Sequence, residues 1–383
     1  MGSDGTSKED RPESVSKGAN KAYRILESQG FIVGRTLGSG SYARVKCAYD
    51  MNRKHKVAVK IINKQKSFDE YLNKFLPREV EAMRILTNHY SIVKFYQIIE
   101  TTSRYFFIME YAEKGDLLNE VKARGTIPEN QAGRWFINMF DGVKYMHGKG
   151  VVHRDIKCEN LVIDAHYTLK LTDLGFAKKI GKNKSGDSLL SETYCGSYAY
   201  APPEILKGIP YNPELSDVWS MGVVLYTMLY GRLPFDDGDH KKLLKQVQSR
   251  IVFPNKPVVS SDCKLFILKI FLKVPERVLL KHMKLDAWFK FQQIVCKQGK
   301  EEKANAANEV TATSDEDVTR PAGTDNSGET THHRLSMKLV KEKDDGNDEI
   351  ETTPTVHDIA KETMEINVPI LTSEQPTVHP VSG

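Results

Sequence analysis

His153-Arg154-Asp155-Ile156-Lys157-Cys158-Glu159-Asn160 is followed, thirteen residues after Asn160, by Asp173-Leu174-Gly175. The group supplies a candidate base, Asp155, and two oxygen ligands suited to hard cations, Asn160 and Asp173, which are the parts that phosphoryl transfer needs. A lone His-Arg-Asp would carry little weight, since most chance copies are solvated loop. The ordered series of residues on either side removes that reading.

Upstream lies Leu37-Gly38-Ser39-Gly40-Ser41-Tyr42-Ala43-Arg44-Val45, two glycines in a strand-turn-strand whose backbone N–H groups can approach phosphates with no Cβ in the way. A dinucleotide fingerprint has similar spacing but opens a helix, whereas Arg44 to Tyr49 reads as a strand. Fifteen residues beyond Val45, Val57-Ala58-Val59-Lys60 is a strand whose lysine can neutralise α- and β-phosphates. Glu79, on the helical pattern that follows, is the matching acidic partner.

These groups need two supporting bodies. From Phe31 to Ile108 short β-branched and aromatic runs alternate with one long helical pattern, Phe68 to Leu86, which predicts a small antiparallel sheet plus one helix. From Leu117 to about Phe291 helical patterns dominate, broken by short strands at Leu161 to Ile163 and Leu169 to Leu171. The class is α+β and bilobal, with a small lobe over 31–112 and a larger, mostly helical lobe over 113–290. Residues 1–22 are polar and charged, and the chain turns rich in Thr, Glu, Asp and Asn after Gln298. Neither stretch can bury enough apolar surface to offset ordering entropy, so a disordered arm is expected over 1–30 and a disordered acidic tail over 291–383.

Charge divides the chain. Residues 301–383 carry seven Lys or Arg against eighteen Asp or Glu, net −11, while residues 1–300 carry +16. A basic body suits anionic partners, but no nucleic-acid motif accompanies it, and nucleic acid is not expected as a partner. The five cysteines are odd in number and widely spaced without a CxxC pair, which fits a reducing, cytoplasmic setting and excludes a disulfide framework or a zinc knuckle. The longest apolar stretch, Val218 to Tyr230, is interrupted by Ser220, Gly222 and Thr227 and reads as a buried helix rather than a transmembrane segment. Met1-Gly2 with Thr6 matches the loose myristoylation pattern, with no polybasic second signal behind it.

Taken in order, the glycine loop, VAVK, the helix Glu, HRDIKCEN, Asp-Leu-Gly, Pro202-Pro203-Glu204 and Asp217-Val218-Trp219-Ser220-Met221-Gly222 resemble the eukaryotic protein kinase family over residues 31–290. The resemblance implies an enzyme using ATP and magnesium, with manganese as a substitute. In it Asp155 orients the substrate hydroxyl and accepts its proton, Lys157 contacts the transferred phosphate as in serine/threonine-type loops, and Asn160 and Asp173 hold the metal. Lys60 pairs with Glu79. Residues 37–45, Ala58, Met109, Glu110, Ala112, Asp116 and Val162 would surround the nucleotide, with Met109 as gatekeeper and Glu110 to Ala112 as the hinge that meets adenine. Phe95, Met83, Leu174 and His153 would form a stacked spine. The same resemblance makes Thr193 the activating phosphosite, read by Arg154, and Ser197 the hydroxyl that braces Asp155 and Lys157. Asp217 and the pair Glu204 and Arg277 would be structural.

The run Asp69 to Glu79, the catalytic loop, Thr193 to Ser197 and Gly208-Ile209-Pro210-Tyr211 look like the testis-specific serine/threonine kinases of the calcium/calmodulin-dependent kinase group. Membership implies male germ cells, a role in sperm maturation, protein substrates, chaperone or scaffold partners and a monomeric enzyme. Leu174 stands in place of the usual Phe, and Pro202 in place of Ala. Tyr198 stands where relatives carry Pro or another aromatic. The two prolines restrict the loop and are expected to alter substrate handling. Asp116 and Glu159 are set to receive an arginine upstream of the acceptor, and Thr227 replaces an acid of stronger arginine readers, so the expected preference is modestly basic. A pseudokinase or scaffold that keeps the fold without turnover is the competing reading. It is opposed by Lys60, Glu79, Asp155, Asn160 and Asp173 all being present.

Overall fold

The computed structural model describes residues 23–40, 43–86, 88–181, 183, 188–236 and 238–298. Ser41, Tyr42, the first 22 residues and the chain from 299 lie outside these. A short helix α1 (Arg24–Ser28) precedes three strands, β1 (Phe31–Ser39), β2 (Ala43–Asp50) and β3 (His55–Asn63). After helix α2 (Leu76–Ile85) come β4 (Phe95–Glu100) and β5 (Arg104–Glu110), and all five strands form one antiparallel sheet in the order β1-β2-β3-β5-β4. Because side chains alternate between faces, Val57, Val59 and Ile61 of β3 enter a small outer core with Leu26, Phe31, Phe106 and Ile108. Ala58 and Lys60 therefore face the opposite side, across from Met109 and Phe107 of β5.

Helix α1 corrects the expected arm over 1–30. Leu26 is wholly buried in the outer core, with Tyr23 and Ile25 packed against it, and these contacts hold a turn of helix on the sheet. The long helix expected over Phe68 to Leu86 is also not uniform. A π-turn spans Tyr71–Phe75, with Leu76 N–H donating to the carbonyl of Tyr71. The proline at 77 explains it, because its ring would clash with the carbonyl four residues back, and a widened turn gives it room. From Leu76 on, Leu76, Glu79, Ala82 and Met83 lie on the buried face, so the sequence turns Glu79 inward.

The large lobe begins with β6 (Gly115–Asp116), α3 (Leu117–Arg124) and α4 (Glu129–Gly148), followed by β7 (Val151–Val152), β8 (Leu161–Ile163) and β9 (Leu169–Leu171). The last two match the strands expected from the sequence. Then come β10 (Lys178–Lys179), α5 (Pro203–Leu206), α6 (Pro213–Tyr230), α7 (His240–Gln248), α8 (Ser261–Ile270) and α9 (Leu280–Met283). Helix α6 is mostly apolar and every residue of it but Glu214 is buried, as expected for a central helix of a large core. The Asn212 side chain caps it by accepting from the amides of Glu214 and Leu215. Gly231 ends it at φ 68°, where an added Cβ would lie 1.9 Å from the carbonyl oxygen of Gly125.

Residues 287–298 form a further helix, which moves the ordered chain past the tail boundary expected at 291. Trp288 stacks on Phe266, and Phe289 packs edge-on against Phe136 and Phe140, while Gln292 is buried against Gly133. Among the described residues no helix is long and apolar enough to cross a membrane. The fold is the bilobal α+β architecture expected from the pattern of periods.

Candidate active site

Three elements meet at Lys60. Its ammonium lies 2.6 Å from Glu79 of α2 and 2.9 Å from Asp173, which follows β9. Glu79 is fully buried and also accepts from the Tyr71 hydroxyl at 3.3 Å. Burial opposes the charge on Lys60, but Asp173 and Glu79 outweigh it and hold its pKa well above the ordinary lysine value. The same lysine draws Asp173 down to about 2, so that carboxylate stays ionised. Burial pushes Glu79 up, with Lys60 working against the rise.

The loop from His153 to Asn160 is built around Asp155, 6% exposed. Its carboxylate accepts from Asn160 Nδ2 at 2.9 Å and from the Ser197 amide at 3.2 Å, and it lies 3.1 Å from Lys157 Nζ. Lys157 also donates to the Ser197 hydroxyl at 3.0 Å. Burial raises the Asp155 pKa, and the Lys157 charge limits the rise. Asn160 spends its amide nitrogen on Asp155, donating to its backbone carbonyl as well as to its carboxylate. The amide oxygen is then what Asn160 can offer a cation. With the ionised Asp173 this is an oxygen-only donor pair, short of a complete shell, which suits magnesium bound with substrate phosphates and water.

Two residues of this region, Arg154 at φ 67° and Asp173 at φ 57°, adopt left-handed backbone that costs a non-glycine residue energy. At Arg154 the fully buried Asp217 of α6 holds the conformation. Its carboxylate accepts from the amides of His153 at 3.0 Å and Arg154 at 2.8 Å, and from His147 Nε2 at 2.8 Å. His153 in turn meets the Thr172 carbonyl through Nε2 at 3.1 Å.

The cleft above the loop is lined as the β-register dictates. Ala58 pairs with Met109, both nearly buried, while Val45 is half-buried opposite Lys60 and Val162 stands half-buried on β8. Gly38 and Gly40 bring the β1–β2 hairpin over this space, with Gly40 N–H donating to the Ala43 carbonyl. A Cβ at Gly38 would meet nothing within 4 Å, and neither glycine has positive φ. The protein's own packing therefore gives no reason for glycine there, whereas a ligand approaching the backbone does. Leu37, Ser39 and Arg44 lie on the same hairpin, and the nucleotide contacts expected of Ser41 and Tyr42 fall outside the described residues. Glu110 begins the crossing between lobes, followed by Ala112. Asp116 caps α3, its carboxylate accepting from the Asn119 amide at 2.8 Å.

Thr193 is exposed, and its carbonyl accepts from the Tyr211 hydroxyl at 3.1 Å. Arg154 donates through Nε to the Phe176 carbonyl at 2.8 Å and also meets the Tyr211 hydroxyl. Close by, Arg78, Lys178 and Lys179 line a cavity of about 170 Å³. Burial first, and then the charges of Arg154 and Arg78, lower the Lys178 pKa, while Glu81 on the same cavity lies 3.7 Å from Lys179. Glu204 accepts a bidentate pair from Arg277 at 2.6 and 3.0 Å. Pro202 sits at the N-cap of α5 with φ −73° and Pro203 at its first turn, positions where a missing N–H costs nothing, so the paired prolines start a helix rather than distort one. Thr227 is 1% exposed and its hydroxyl bonds back to the Val223 carbonyl.

Two participants went unread in the sequence. Lys170 of β9, 9% exposed at its side chain, lies 2.9 Å from Glu110 and 3.7 Å from Asp164, joining the crossing segment to the large lobe. His147 reaches Asp217 from the last turn of α4. Their only sequence signal is a polar residue in an apolar periodic run, which many surface positions share.

A five-stranded lobe whose lysine meets a helix glutamate, set over a helical lobe carrying the Asp155 loop, defines a class. The protein kinase domain model matches residues 31–289, and the chain belongs to the protein kinase family. Within it, the chain is 44% identical over 282 residues to testis-specific serine/threonine-protein kinase 4 of Homo sapiens, covering 70% of this chain and 86% of that protein. It is 46% identical over 248 residues to testis-specific serine/threonine-protein kinase 2 of Mus musculus, covering 64% and 69%. With testis-specific serine/threonine-protein kinase 3 of Mus musculus it shares 42% identity over 265 residues, covering 69% and 96%.

Proposed function

We propose that the chain is an ATP-dependent protein serine/threonine kinase, with its catalytic unit over 31–290, acting in the cytoplasm of male germ cells; the names of its relatives, testis-specific serine/threonine-protein kinases, support the activity and the tissue. The observation that carries the reading is the joined network in which Lys60 meets Glu79 and Asp173 while Asp155 meets Asn160, Lys157 and Ser197. Lys60 neutralises the nucleotide's phosphates, and Glu79 fixes where the ammonium points. Asp155 orients the acceptor hydroxyl and takes its proton, and Lys157 beside it meets the phosphoryl group in transfer. Asp173 and the amide oxygen of Asn160 would hold magnesium, or manganese in its place, which would supply positive charge against the phosphates. Because the phosphoryl transition state is loose, positioning and electrostatics carry most of the rate. Transfer from labelled ATP to a serine peptide by the purified chain tests the reading. A protein that binds nucleotide yet transfers nothing, with Thr193 phosphorylated, would be the scaffold instead.

Phosphorylation of Thr193 activates the enzyme in this reading. A phosphate of about −1.5 to −2 at the exposed Thr193 would meet Arg154 and the cations of Arg78 and Lys178. The expected result is a rise in kcat/KM of about tenfold, equal to about 1.4 kcal/mol of shift toward the ordered segment, absent in Thr193→Ala. Equal rates for phosphorylated and unmodified protein would end this part of the proposal.

Substrates carry a basic residue upstream of the acceptor. One carboxylate oxygen of Glu159 is buried with no partner, and burial raises its pKa, so a substrate guanidinium would supply what the group lacks. Thr227, enclosed within α6, contributes nothing to this recognition, which keeps the preference modest. Arg over Ala upstream is expected to gain about fivefold in kcat/KM, roughly 1 kcal/mol, and Glu159→Gln to abolish the difference. A peptide array with equal turnover for Arg and Ala rejects it.

A further inference from the structure

Glu79 has two carboxylate oxygens, and the Lys60 ammonium engages one of them, Oε1 at 2.6 Å. The other, Oε2, accepts from the Tyr71 hydroxyl at 3.3 Å, and Glu79 is wholly shielded from solvent. An added Cβ at Gly175 would lie 3.7 Å from that same oxygen, so the chain just after Asp173 covers it on another side. A buried carboxylate oxygen stripped of its donor has no water to turn to, and the cost falls on the arrangement that buries it. Nothing in the residue spacing pairs Tyr71 with Glu79. They are eight apart, and in an uninterrupted α-helix of 3.6 residues per turn such positions are rotated about 80° from each other, whereas positions seven apart nearly align.

The π-turn over Tyr71–Phe75 takes in one extra residue, which cancels that rotation and sets Tyr71 two turns before Glu79 on one face. The turn is braced from the other lobe, since the Phe75 ring meets that of Phe176, three residues after Asp173, edge-on at 6.0 Å. Tyr71 is half-buried and its ring packs on the main core. Burial and then the Glu79 charge raise its pKa above the ordinary phenol value, so the hydroxyl keeps the proton that it donates. We infer that Tyr71 is a positioning residue: its hydroxyl holds the second oxygen of Glu79 and, through Glu79, fixes the Lys60 ammonium where the phosphates of a bound nucleotide must come. This rests on the kinase reading above for the nucleotide, and it gives the π-turn a task, that of bringing the hydroxyl into reach.

The test is Tyr71→Phe in the full chain, which keeps the ring and its packing and removes only the oxygen. Binding of ATP with magnesium and of adenosine is measured by calorimetry, alongside transfer to a serine peptide. The variant is expected to bind ATP about tenfold more weakly, with the KM for ATP raised to match, because the competent arrangement is populated to a smaller fraction. At saturating ATP its kcat stays near that of the wild type, since bound phosphates restore the arrangement. Adenosine, which carries no phosphate for Lys60 to meet, binds both proteins alike, and the KM for the peptide is unchanged. In a Lys60→Met background, where no ammonium remains to be placed, Tyr71→Phe weakens ATP binding no further. An ATP affinity equal to that of the wild type, or equal losses for ATP and adenosine as a general loosening of the small lobe would give, overturns the proposal and leaves the kinase reading standing. A wild type that transfers nothing with Thr193 phosphorylated, while Tyr71→Phe shows the selective loss for ATP, keeps Tyr71 in its role and overturns the kinase reading.

Discussion

Asp155→Asn lowers phosphate transfer to a serine peptide by about 10²- to 10⁴-fold, the range that positioned proton transfer contributes, with little change in the KM for ATP. The substitution is nearly isosteric. It keeps an oxygen to accept from Asn160 and Ser197, so the loss falls on the hydroxyl's orientation and on the destination of its proton rather than on the fold. The pH dependence follows from the same group. Burial raises the Asp155 pKa, so the acid limb of the wild-type rate lies above the ordinary carboxylate range near 4, and activity is lost as the pH falls through that raised value. The stability contribution of Asp155 has the opposite sign: the folded chain holds the proton more tightly than the unfolded one, so the group favours folding at low pH and that contribution fades as pH rises. Rate profiles of the wild type and the variant separate the two effects. A variant with the wild-type rate, or a wild-type limb at an unshifted carboxylate pKa, would remove Asp155 from the role assigned to it.

Arg277→Met is expected to cost about 3–5 kcal/mol of stability, because it leaves the Glu204 carboxylate without its partner in the interior. The Arg277 side chain is completely shielded from solvent, and its guanidinium does four things at once. It grips both oxygens of Glu204, donates to the carbonyls of Leu272 and Leu215, and lies 4.8 Å from the centre of the Trp219 ring. Lysine could not reproduce this planar fork, so Arg277→Lys falls in the same direction. The double variant Glu204→Gln, Arg277→Met recovers part of the loss, since no charge is then stranded. Urea midpoints measured on the four proteins check it. A single variant within 1 kcal/mol of the wild type would mean that water reaches the pair after all.

Much of this could be read from residue types and spacing. Strands β8 and β9 were legible as short apolar runs breaking the helical patterns, and Glu79, one of several acids on its helical run, was singled out because the rest of the ordered motif series made it the partner of Lys60. What escaped the sequence depended on contacts between distant segments. Leu26, with Tyr23 and Ile25 beside it, holds α1 on the sheet, and the mostly polar stretch of residues 1–22 before it hid that. Proline 77 widens a helical turn rather than ending the helix, a choice made by packing on either side. The helix over 287–298 outlasts the expected boundary because Trp288, Phe289 and Gln292 find partners on α4 more than 130 residues earlier, which no local window can register. Lys170 and Glu110 each look like ordinary surface residues until the fold brings them to 2.9 Å.

The carboxylate of Asp217 belongs to the central helix of the large lobe, yet it grips two consecutive amides of the loop that carries Asp155. The loop consequently has no independent looseness to spend. Freeing those amides would strand a charge inside the helical core, so the loop cannot fray alone and loosens only together with the bundle beneath it. The Asp155 carboxylate thereby inherits the rigidity of the deepest part of the protein.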